Sequence, residues 1–233
     1  MSAFNPPPEP EIELLLLCAR RTRTAQQAAA IRSLLAAPIN WRCLLSLAGR
    51  HRVLTLLYAA LKSESCLELL PPAFRDALHS AARESIGQSL ALTRELVRIL
   101  QEFAGRSIPA IPCKGPVVGI LAYGDLSYRS FCDLDILVPE SHFHIAQRAL
   151  GSLGYQALLR LSAKQEEVYL NNECAMPFRG DANGHIVELH WRLCERNASV
   201  RLPISALWQR AVPVPLLGMT VPSLAPEDLM LYL

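Results

Sequence analysis

The sequence predicts an α+β protein whose helical first half precedes a sheet-bearing second half. Three observations lead there. From Glu11 to Arg106 the 233-residue chain contains almost nothing but helix-forming residues. Short apolar runs of strand character begin only after residue 107, and Gly, Pro and Asn turn signals recur between them. At 51% hydrophobic residues the chain can fill a sizeable core without staples. The expected division is a helical region over residues 1–106 and a second domain over residues 107–233.

Residues 1–10 carry four prolines and little to bury, so a loose tail is expected. Helices are predicted near 11–20, 25–36, 40–62 and 73–104, punctuated by Pro38, Ser63 and Pro71-Pro72. The last is the clearest: Phe74, Leu78, Ala81, Ala82, Ile86, Leu90, Val97 and Leu100 form an apolar stripe, with Gly105 as the expected C-terminal cap. Arg20, Arg21 and Arg23 read as a basic helix end favoured by the helix dipole, with nucleic-acid contact as the alternative. Arg50-His51-Arg52 is either a phosphate-binding cluster or a solvated face.

Beyond Ile108 an apolar run ends at Lys114-Gly115, where a strand turns into a helix opened by Pro116. Tyr123-Gly124-Asp125 closes that helix, with Asp125 capping or bonding locally. A strand follows from Asp133, a helix over 140–153, a return to the sheet at Gly154-Tyr155, and a helix over 163–170. His142 and His144 flank Phe143 at a spacing that points them to different faces of that helix, which argues against shared metal ligation. Cys174–Phe178 and His185–Trp191 are strands of a hairpin whose tip holds Asn183-Gly184. A second hairpin is expected over Val212–Leu216 and Met219–Val221, and a helix starts near Ala225-Pro226.

Composition excludes several classes. Net charge is +2, from 23 basic and 21 acidic side chains, which gives no overall field for nucleic acid or membrane surfaces. Seven scattered cysteines without a Cys-x-x-Cys pair read as thiols in a reducing compartment. The N-terminal apolar run Leu14–Ala19 is too short to span a bilayer and follows acidic residues, so a cytoplasmic location is expected.

Two stretches carry chemistry. In a strand, Asp133 and Asp135 share one face while Leu134 and Ile136 share the other. Two carboxylates that close repel unless a cation lies between them, and Mg²⁺ is the usual hard cation of phosphate chemistry. Gly115 removes the Cβ that would keep a phosphate from the backbone, the helix start offers free N–H groups, and Lys114 adds a mobile positive charge. Glu188 and His190 share a face of the second informative strand, and a carboxylate inside an apolar run needs a cation.

The pattern Lys-Gly, helix, Tyr-Gly-Asp-x-x-x-Arg-x-x-x-Asp-x-Asp-x-Leu-Val, then Glu188-Leu189-His190-Trp191, resembles the uncharacterised nucleotidyltransferase family of the polymerase-β-like superfamily. The chain departs from the superfamily in having Lys114-Gly115 for Gly-Ser, 17 residues between Gly115 and Asp133, Cys132 for a frequent Ser, and Glu188 where the family has Asp. The resemblance covers residues 40–233 and implies a nucleotidyltransferase core with a mixed sheet; the helical C-terminal region that family members carry would lie beyond residue 233.

It also implies a Mg²⁺-dependent enzyme, with Mn²⁺ as the alternative, that moves an NMP from an NTP, ATP among the donors, to an acceptor hydroxyl. Asp133, Asp135 and Glu188 would be the catalytic metal ligands, and Lys114, Gly115, Arg129 and His190 the nucleotide-binding residues. The acceptor, whether small molecule, protein or RNA, is not marked in the sequence. A catalytically inactive nucleotide- or protein-binding module of the same fold is the alternative. A phosphodiesterase is a third reading, weakened because only His190 is placed as a histidine ligand.

Overall fold

The computed structural model describes residues 9–182, 184–194 and 204–232. The chain divides into two compact units. The first runs to Ser89 and takes in Asp125–Ser130; the second comprises Leu90–Gly124 and the chain from Phe131 on.

The first unit is helical, with α1 (Glu9–Cys18), α2 (Ala25–Leu35), α3 (Trp41–Arg50), α4 (Leu54–Ser63) and the opening turns of α5 (Pro72–Gly105). The expected tail therefore becomes helix at Glu9; its residues 1–8 lie outside the described part. Thr24 starts α2 through a reciprocal capping box with Gln27, and Asn40 caps α3 by accepting from the Cys43 N–H at 3.0 Å. Leu14, Ile31, Leu44, Ala48, Leu57, Leu61 and Leu78 meet in its core. Arg23 does not present its charge to solvent as part of a basic patch: its Nε lies 3.1 Å from Glu64 Oε1 and its side chain is only 7% exposed.

The helix predicted over 40–62 is two helices. Arg52 adopts φ 57°, its N–H bonds the Gly49 carbonyl, and the Val53 N–H bonds the Ala48 carbonyl, which is a Schellman closure built without glycine. The same closure ends α4 at Ser65 (φ 56°) and α5 at Ser107 (φ 55°). Gly105, expected to cap α5, is its last helical residue, because the left-handed position falls two residues later. The Asp125–Ser130 segment joins this unit through Ser89 Oγ, which donates to the Arg129 carbonyl at 3.2 Å, and a 2.6 Å contact between Ser85 and Ser130 hydroxyls.

The second unit is built on a five-stranded mixed sheet in the order β1-β2-β5-β4-β3. Its strands are β1 (Ile111–Pro112), β2 (Asp133–Leu137), β3 (Tyr155–Ala157), β4 (Ala175–Gly180) and β5 (Ile186–His190). β2 and β5 are parallel; the other neighbours are antiparallel. The run from Ile108 yields only two paired residues, since the Ile108 N–H closes α5 and neither Pro109 nor Pro112 has an N–H to give a ladder.

Helices α6 (Pro116–Tyr123), α7 (Phe143–Ser152) and α8 (Ala163–Asn172) connect these strands. Asp125, after α6, caps a short 3₁₀ turn through the Ser127 N–H at 2.8 Å. Trp191 anchors the layer: it is 1% exposed, meets Phe143 edge-on at 4.9 Å, and donates from Nε1 to the Leu170 carbonyl.

The α9 helix (Ile204–Arg210), not anticipated from the sequence, precedes a second hairpin of β6 (Val212–Leu216) and β7 (Met219–Ser223). Leu217 (φ 46°) and Gly218 (φ 82°) make its two-residue turn, both with the positive φ of a type I′ connection. α10 (Pro226–Tyr232) follows. Asn183, part of the expected tip of the β4–β5 hairpin, lies outside the described residues. No described helix is long and apolar enough to cross a membrane.

Candidate active site

Parallel pairing of β2 with β5 determines what meets at the site. The register places Asp133 opposite Ile186, Asp135 opposite Glu188 and Leu137 opposite His190. Residues on one face of each strand thus become neighbours across the pair, while Leu134, Ile136, Val187 and Leu189 turn into the core with at most 1% exposure. Hydrogen bonds continue the ladder on both sides: the Val138 N–H bonds the His190 carbonyl, and the Cys113 N–H bonds the Asp135 carbonyl, both at 2.9 Å.

On that face His190 Nε2 lies 3.1 Å from Asp135 Oδ1 and 3.5 Å from Glu188 Oε2. Ligand atoms of Asp135, Glu188 and His190 all fall within 4.8 Å of one another. Asp133 is half-buried one two-residue step along the strand and is not a member of this three-residue cluster. The expected carboxylates Asp135 and Glu188 come together; the third member is His190, for which the sequence offered a phosphate contact or a structural role.

Lys114 reaches the same cluster. Its Nζ lies 3.6 Å from Asp135 Oδ1 and 4.3 Å from the centroid of the Tyr232 ring. Gly115 turns the chain from β1 into α6 with φ 56° and ψ −122°, backbone that a side chain strongly disfavours. A Cβ there would lie 3.5 Å from the Phe131 ring and 3.7 Å from the Asp133 carbonyl oxygen, so the turn rests against the start of β2. Arg129 belongs to the first unit, and its Nε is buried without a hydrogen-bond partner among the described residues.

The electrostatics follow from these contacts. Burial alone would raise the Asp135 carboxyl, but the His190 hydrogen bond and the Lys114 charge hold it below the usual range. Burial alone would likewise push the His190 imidazole down; hydrogen bonding to Asp135, Cys174 and Glu188 outweighs it and raises the ring to about 10. Two carboxylates thus share one imidazolium, with a lysine beside them.

The donor set fits a divalent cation. Two carboxylate oxygens and an imidazole nitrogen are metal-ligand types, and spacings of 3.1 and 3.5 Å resemble those between adjacent ligands of an ion bound at about 2.1 Å.

Asp135 and Glu188 thus line a parallel strand pair beside the Gly115 turn and the start of α6. A family model described as uncharacterised nucleotidyltransferase matches residues 37–233, and the chain belongs to that family. It is a transferase of nucleotidyl groups, and its architecture is α+β with a mixed sheet. Two solved structures are similar to it. One is a lincosamide antibiotic adenylyltransferase, LnuA, with lincomycin bound: 14% identity, TM-score 0.44, covering 59% of this chain and 83% of that one. The other is a Thermotoga maritima protein described as a nucleotidyltransferase: 16% identity, TM-score 0.43, covering 59% and 80%. No curated protein matches the sequence.

Proposed function

We propose that the protein moves an NMP unit from an NTP to an acceptor hydroxyl, with divalent cations held at Asp135 and Glu188 and by Asp133 at the start of the same strand. The observation that supports this most is the register. Two acidic residues 53 positions apart in sequence lie opposite each other on adjacent parallel strands, with the Lys114-Gly115 turn alongside. When bound, the cations supply Lewis-acid stabilisation of the attacking and leaving oxygens.

The chain's own residues do the rest. Asp133 and Asp135 present oxygens from one face of β2, and Glu188 completes the set from β5 and helps to take the acceptor's proton. The Gly115 turn at the start of α6 receives the phosphates, and Lys114 neutralises their charge. Arg129, four residues before Asp133 in sequence, is the remaining phosphate-binding candidate. His190 holds Asp135 and Glu188 in place and joins them as a ligand once it gives up its proton.

The test is incubation with each labelled NTP and Mg²⁺ or Mn²⁺, followed by intact-mass measurement of protein and candidate acceptors. Transfer of one nucleoside monophosphate by the wild type, lost in Asp135→Asn, is expected. Metal-dependent nucleotide binding with no turnover toward any acceptor supports the inactive-module reading instead.

A further inference from the structure

We propose that Tyr232 is a positioning residue of this site. Its ring holds the Lys114 ammonium and the His190 imidazole where the nucleotide's phosphates meet the carboxylates. The inference rests on the nucleotidyl-transfer reading above and adds a residue that the motif does not contain.

A lysine on a four-carbon stem is mobile, and ordering it on phosphate binding costs conformational entropy. Lys114 already has two partners in this structure. Its Nζ sits over the Tyr232 ring at 4.3 Å from the centroid, inside cation–π range, and faces Asp135 Oδ1 at 3.6 Å. The same ring meets His190 edge-on, with centroids 6.2 Å apart and planes at 86°. One aromatic side chain therefore contacts both cationic groups that face Asp135.

The helix that carries Tyr232 is itself fixed. Arg210 makes a forked pair with Asp228, at 2.6 and 3.0 Å, and Leu224, Ala225 and Leu229 are buried. Its neighbours Met230 and Leu231 are 81% and 65% exposed, whereas Tyr232 turns inward and is half-buried. Burial, with Cys113, Asp135, Cys174 and Glu188 nearby, pushes its hydroxyl well above the usual tyrosine range, so it stays neutral. The contacts that matter are made by the ring face and edge.

The test compares Tyr232→Leu, which removes the ring, with the conservative Tyr232→Phe, which keeps it. In nucleotide-free protein, NMR should show the Lys114 methylene and His190 ring resonances losing their ring-current shifts in Tyr232→Leu and recovering them in Tyr232→Phe. Calorimetric titration with ATP and Mg²⁺ should show about tenfold weaker binding for Tyr232→Leu, rescued by Tyr232→Phe. In a Lys114→Ala background the leucine change should cost markedly less, because the partner is gone.

ATP affinity unchanged in Tyr232→Leu overturns the proposal, as does a phenylalanine variant as impaired as the leucine one. Ring-current shifts that behave as expected in a wild type that binds no nucleotide place the failure in the functional reading, and remove the ring's role with it.

Discussion

His190 is the residue on which the site's electrostatics turn, and its environment makes a pH prediction with a definite sign. In metal-free protein its folded value of about 10 lies above the unfolded value of about 6.5. The stability it supplies is fully present below about pH 6.5 and declines as pH rises towards about 10. Asp135 works the other way: its stabilisation is present above the unfolded carboxyl value near 3.9 and is lost as pH falls through its lowered folded value. An NMR titration of the imidazole in EDTA reads this directly, and loss of the ring proton near 6.5 contradicts it. Gly115 makes a second residue-level prediction. Its φ of 56° with ψ −122° leaves Gly115→Ala strained although the added methyl meets only ordinary contacts, so stability should fall by about 1–2 kcal/mol. A urea midpoint equal to wild type would show that the turn relaxes without cost. The alternation of Asp133, Leu134 and Asp135 was legible in the sequence because a strand has a two-residue period. The joining of His190 to Asp135 was not, because it depends on strand order and register across 55 residues.

At the scale of elements, three helices end in a left-handed residue that is not glycine, namely Arg52, Ser65 and Ser107. That explains why one helix was expected over 40–62: neither Gly nor Pro interrupts His51-Arg52-Val53, and the break is made by backbone hydrogen bonds alone. Removing the Cβ at these positions relieves strain, so Ser65→Gly and Ser107→Gly should each stabilise the protein by about 0.5–1 kcal/mol. Thermal or denaturant midpoints that fall would contradict the assignment of those turns. Trp191 is the opposite case, an element-level anchor legible from its place in an apolar run. With 1% exposure, an edge contact to Phe143 and a hydrogen bond to Leu170, Trp191→Ala should cost about 3–5 kcal/mol. The second hairpin was legible from Gly218, whereas α9 carries too short a helical pattern to stand out.

Across the whole molecule, helical and sheet-bearing stretches were legible from a change in hydrophobic period, and the motif identified the strand pair that carries the acids. The fold's contribution to function lies in bringing Asp135 and Glu188 into register, which the order β1-β2-β5-β4-β3 achieves by inserting β5 next to β2. A cation that binds only the folded cluster stabilises the chain by mass action, about 2.7 kcal/mol at one hundred times its dissociation constant. Thermal unfolding should therefore shift upward by several degrees with Mn²⁺ or Mg²⁺ in the wild type and hardly at all in Asp135→Asn or Glu188→Gln. The most direct measurement is a Mn²⁺ titration followed by electron paramagnetic resonance, with and without ATP, on the wild type and on Glu188→Gln. Binding that tightens with ATP and is lost when Glu188 gives up its charge is the predicted result. Mn²⁺ binding that is absent, or that is indifferent to Glu188, contradicts the site.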